Sequence, residues 1–138
     1  ALTETEFRSH CDAALEKLNR SLGVITEKYD AEVLLQNGVL TIETEEPNPG
    51  KIVISPQTPT RQVWISAQFT SFKLDWSGNA FVLPSTGEPL NQLLGRLIGE
   101  QLGIARIEIE GTKEAQEVLL VVPSLSAAQA TDDMNGVG

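Results

Sequence analysis

Five carboxylates in the first quarter of the chain have the types and spacing best suited to chemistry. Asp12 and Glu16 stand four apart and share one face of a helix, where a like-charge pair costs roughly a few tenths of a kcal/mol. Asp30 and Glu32 stand two apart and share one face of a strand, with Glu27 just before them. Carboxylate oxygens suit hard cations, iron included, but bind them only weakly without a preorganised cage. An ordinary solvated acidic face has the same pattern, and Glu16 with Arg20 as an i,i+4 ion pair fits that alternative. Trp64, flanked by Gln62 and Ser66, has the composition of a protein-contact hot spot if it faces outward, or of a ring covered by a loop if it does not. Phe69 and Phe72 surround a Thr-Ser loop in which one of them is expected to be exposed. His10 and Cys11 are the single histidine and cysteine, so no His/Cys cluster of zinc spacing can form. No phosphate loop, nucleophile elbow or dinucleotide fingerprint occurs, and no acid–base or covalent catalytic set is visible.

Those residues must be positioned by elements. Phe7, Cys11, Ala14, Leu15, Leu18 and Leu22 recur at spacings of three and four, which predicts a helix with Cys11 buried in its apolar stripe and His10 on its flank. Thr3 with Glu6 forms a capping box, Leu2 with Phe7 a hydrophobic staple, and Gly23 is expected to end the helix. From Tyr29 to Leu83 short β-branched runs alternate with turn residues, predicting six antiparallel strands at 31–35, 39–44, 51–55, 62–66, 72–76 and 80–83. Val63 and Ile65 then share one face, and Gln62, Trp64 and Ser66 the other, while Trp76 is expected in the core. A second helix follows Pro89, read as a first-turn proline, and ends at Gly103. The order predicts an α+β two-layer sandwich: two helices packed on one face of an antiparallel sheet of about six strands. Residues 104–125 form an extension, read as a hairpin turning near Gly111, and 126–138 a mobile tail.

With 138 residues, 41% of them hydrophobic, one core domain is expected, spanning 1–103. No apolar run approaches the ~18 residues of a membrane span. Lys+Arg 10 against Asp+Glu 19 gives a net charge of -9, which repels phosphate backbones and attracts cations and basic protein surfaces. Neither nucleic acid nor membrane is therefore an expected partner. Acidic Glu4 and Glu6 stand where a signal peptide is basic, so a cytoplasmic protein, or one of the mitochondrial matrix in a eukaryote, is expected.

The segment Gln57-Thr58-Pro59-Thr60-Arg61-Gln62-Val63-Trp64-Ile65-Ser66 closely resembles the frataxin family, whose fourth strand follows a Q-x-P-x-x-Q-[IV]-W-[LI] pattern. Gly38-Val39-Leu40-Thr41-Ile42 is similar to the family's G-V-L-T strand, Ile52-Val53-Ile54 to the next, and Lys73-Leu74-Asp75-Trp76 to the D-W ending of its fifth. The resemblance runs from about Thr5 to Leu102. It implies a monomeric, iron-binding regulator of iron–sulfur cluster assembly that docks on the complex of cysteine desulfurase and scaffold protein and changes the rate of sulfur transfer. Iron, ferrous or ferric, would sit weakly on Asp12, Glu16, Glu27, Asp30 and Glu32; partner contact would fall to Gln62 and Trp64, with Arg61 and Lys73 as flanking cations. An iron-oxidising or iron-storing protein and a metal-free interaction module remain as alternatives. Three departures from the family pattern stand out: Arg20, Ser21, Gly23 and Val24 replace carboxylates late in helix one, Thr60 replaces a frequent Asn, and the loop 67–72 lacks the usual Gly/Pro/Ser composition.

Overall fold

The computed structural model describes residues 2–46, 48–109, 116–118, 132–133 and 135–136. Helix α1 (Glu4–Ser21) begins at the capping box. The Glu6 N–H donates to Thr3 Oγ1 at 3.1 Å, and the Thr3 N–H donates to Glu6 Oε1 at 3.0 Å. The Thr3 N–H first, and the Thr3 side chain after it, hold the Glu6 carboxyl below its ordinary range. The first helix ends just before Gly23, as expected, but a second helix that was not expected follows directly. Leu22 is the C-cap of α1, and Gly23 opens α2 (Gly23–Lys28). Burial supplies the reason: Leu22 and Ile25 are 0% and 1% exposed, and one more helical turn keeps both inside.

Six antiparallel strands follow in chain order: β1 (Ala31–Gln36), β2 (Val39–Thr44), β3 (Gly50–Gln57), β4 (Gln62–Ser66), β5 (Ser71–Trp76) and β6 (Phe81–Val82). Asn37 and Gly38 take φ of +55° and +76°, the two left-handed positions of a type I′ hairpin turn. That turn sets the register, with Val33 opposite Ile42 and Glu32 opposite Glu43. Leu40, Ile42, Ile52, Ile54, Val63, Ile65 and Leu74 form the buried sheet face under the helices. The other face is open. Helix α3 (Leu90–Leu102) buries Leu93, Leu94 and Ile98 against that core, and Gly103 ends it at φ +74°. Pro89 stands at the N-cap, extended at φ -76°, and not inside the first turn; its carbonyl accepts from the N–H groups of Gln92 and Leu93.

Past α3 the chain doubles back. Strand β7 (Arg106–Glu108) packs along α3 and pairs antiparallel with β8 (Gln116–Val118). Gly95 and Gly99, one turn apart on α3, admit it. A methyl group on Gly95 would overlap the Ile107 carbonyl, and one on Gly99 would lie 2.5 Å from Arg106 Cα. Ile107 and Ile109 are buried there, and Asn91 Nδ2 donates to the Ile109 carbonyl. The expected turn near Gly111 lies outside the described residues, as does the expected tail apart from 132–133 and 135–136. Among the described residues no helix is long and apolar enough to cross a membrane.

Candidate functional site

Alternation along β4 buries Val63 and Ile65 and turns Gln62, Trp64 and Ser66 to the open sheet face. Pairing with β5 sets Gln62 opposite Asp75 and Trp64 opposite Lys73. Gln62 Nε2 donates to Asp75 Oδ1 at 2.9 Å, and Trp64 Nε1 donates to Gln62 Oε1 at 3.0 Å. Lys73 Nζ lies 4.7 Å from the centre of the Trp64 ring, a cation–π position. The indole is half-exposed, with its one donor satisfied at the ring edge and Lys73 over its face. A shallow cavity of about 250 Å³ adjoins it, lined by Ser55, Ser66, Ser71, Phe72 and Lys73 among others. Asp75 belongs to this cluster and was missed as a site residue. The signal was available, since period two puts Asp75 on the same face as Lys73.

Arg61 stands differently. It has φ +54°, its Nε donates to the Leu2 carbonyl at 3.3 Å and its Nη1 to the Thr58 carbonyl. Its guanidinium thus ties the N-terminal segment to the turn before β4. Trp76 is half-buried, not fully in the core, and stacks on His10 with centroids 3.9 Å apart and planes 15° apart. That pair joins positions far apart in sequence, and no local pattern announces it.

The five acidic candidates are all exposed but are not gathered. Asp12 lines a cavity with Asn37, Gly38 and Val39, just past the end of β1, whereas Asp30 immediately precedes that strand. Six residues of strand separate them by roughly 20 Å. Glu32 points to the open sheet face, opposite Glu43, while Asp12 and Glu16 stand on the helix layer and Glu27 on α2. Among the described residues no three His, Cys, Asp or Glu groups come close enough to hold a metal ion. The acidic residues are spread over α1, α2 and β1 and form no cage. Glu43 stands opposite Glu32, where the Asn37-Gly38 turn fixes it, and 3.9 Å from Lys51 Nζ.

Cys11 is 1% exposed, and burial, with the Asp12 charge adding to it, pushes its thiol up to about 12. The native protein should resist iodoacetamide at neutral pH and react only on unfolding, which mass spectrometry with and without denaturant reads directly. Because the unfolded thiol ionises first, stability should fall as pH rises from about 9 towards 12. Alkylation of the native protein at the rate of a free thiol would contradict this burial.

Comparison with known proteins adds a lineage. The chain matches the frataxin-like domain family over residues 1–104. It is 31% identical over 107 residues to the iron–sulfur cluster assembly protein CyaY of Azotobacter vinelandii, covering 75% of this chain and 92% of that one. It is 30% identical over 102 residues to CyaY of Ralstonia nicotianae, covering 72% and 88%. Its fold is similar to that of a frataxin from Psychromonas ingrahamii, with a TM-score of 0.67, 23% identity, and coverage of 79% of this chain and 99% of that one. Against yeast frataxin the TM-score is 0.59 at 25% identity, with coverage of 72% and 83%.

Proposed function

The chain belongs to the frataxin-like family, and on that premise we propose that it serves iron–sulfur cluster assembly as a regulatory protein of the bacterial cytoplasm, docking on the cysteine desulfurase–scaffold complex and altering sulfur transfer. The observation that carries this reading is Trp64, held by Gln62 and Lys73 on the open sheet face. A ring already immobilised loses little entropy on binding, which is what a contact anchor requires. Gln62 and Lys73 border the contact, and Asp75 fixes Gln62. Arg61 contributes by holding the turn before β4 in place. Iron is a loosely held passenger on Asp12, Glu16, Glu27, Asp30 and Glu32. The protein acts as a monomer through its own surface. Cluster formation on the scaffold, followed with desulfurase in the presence and absence of this protein, tests the reading. An unchanged rate, together with no complex on a sizing column, would dismiss it.

A second reading, a metal-independent interaction module, is favoured by the separation of Asp12 from Asp30 along β1. The two differ in iron affinity. With the five carboxylates as the site, ferrous iron should bind in the micromolar range, about -8 kcal/mol at best, because hydration and screening weaken exposed carboxylates. Backbone amide NMR during an anaerobic ferrous titration should perturb α1 and β1 first. No shift there at millimolar iron, with the effect on cluster formation retained, would establish the module instead.

A further inference from the structure

We propose that Phe69, at the tip of the β4–β5 hairpin, is a second anchor for the partner protein, suited to an apolar pocket on that protein's surface. This rests on the docking reading above, in which the open sheet face meets that partner. Phe69 is 90% exposed, and with Leu34 at 55% it is one of the two large hydrophobic side chains left in solvent among the described residues. The fold supplies no reason for a phenyl ring there. Ala67 N donates to the Thr70 carbonyl at 2.9 Å and Thr70 N to the Ala67 carbonyl at 3.3 Å, so the turn closes through backbone alone. The same two bonds hold the tip still, which lowers the ordering cost of binding the ring.

Register tells what surrounds it. Val53 pairs with Ser66, and one open-face row further towards the tip stand Lys51, Glu43 and Glu32 in sequence across β3, β2 and β1. Lys51 Nζ reaches Glu43 at 3.9 Å and leaves Glu32 with no counter-charge in that row. The neighbouring row, Leu34, Thr41, Val53, Ser66 and Ser71, carries no charge from one sheet edge to the tip. An aromatic tip at the end of an uncharged strip that runs beside Trp64 fits a protein surface with an apolar pocket, with Lys51 the nearest charge of the next row and Glu43 and Glu32 one and two strands beyond it. The net charge of -9 opposes approach to an anionic membrane.

Affinity of the desulfurase–scaffold complex for the full chain, Phe69→Ser, Phe69→Leu and Trp64→Ala tests this. Phe69→Ser should weaken binding about tenfold or more, Phe69→Leu less than about threefold, and both should keep the parent's denaturant midpoint because the ring touches little of the fold. Parent-like affinity of Phe69→Ser, with Trp64→Ala weakened, overturns the anchor and leaves the docking reading standing. A folded parent that does not bind the complex overturns both. Sedimentation with phosphatidylcholine vesicles that is lost in Phe69→Ser assigns the ring to lipid and also overturns the proposal.

Discussion

Trp64→Ala should weaken affinity for the desulfurase–scaffold complex by ~2–4 kcal/mol, roughly 30- to 1000-fold in Kd, while lowering folding stability by only ~1 kcal/mol. The asymmetry follows from placement. The ring lies on the open face with its N–H bonded to Gln62 and its plane under Lys73, so its removal leaves no sealed cavity. A fully buried tryptophan would behave oppositely, costing ~3–5 kcal/mol on folding. Trp64→Phe should recover part of the affinity, since it keeps apolar area and loses the indole donor. Urea midpoints measured beside binding isotherms separate the outcomes: a variant that melts far earlier yet binds like the parent removes Trp64 from the contact surface.

Gly95→Val should destabilise the fold by roughly 3–5 kcal/mol, even though Val is the better helix former by a few tenths of a kcal/mol. A side chain at Gly95 cannot coexist with the Ile107 carbonyl, so β7 must lift from α3 and expose Ile107 and Ile109, now 2% and 4% exposed. Each buried isoleucine is worth about 1.5–3 kcal/mol. The cycle with Ile107→Ala provides the check. If β7 has already been displaced by Gly95→Val, the second substitution should add little, and the two costs should be strongly sub-additive. Full additivity would place the clash elsewhere. The family match ends at residue 104, yet the core continues through Ile109.

Some of this was written into short stretches of sequence. The capping box at Thr3 and Glu6, the burial of Cys11 and the facing of Val63 and Ile65 against Trp64 all depend on residues one to four apart, and local geometry decides them. The Asn37-Gly38 turn belongs here too, because a two-residue turn dictates every pair behind it, Glu32 with Glu43 included. Where a local stop signal met the demand for burial both acted: α1 stops just before Gly23, and a second helix starts there at once with Leu22 and Ile25 buried.

Other features needed the assembled structure. The distance between Asp12 and Asp30 depends on α1 lying antiparallel to β1, and no spacing along the chain tells whether those carboxylates converge. The Gln62–Asp75 bond, the His10–Trp76 stack and the use of Arg61 on the Leu2 carbonyl join residues 13 or more positions apart. Nothing local to α3 tells that Gly95 and Gly99 make room for β7, because the backbone they admit belongs to a later segment. The sequence by itself determined which side chains face water and which face the core, because the strand and helix periods of two and 3.6 are properties of a single element. Only the tertiary structure decided which exposed groups are neighbours, since that depends on how several elements pack at once.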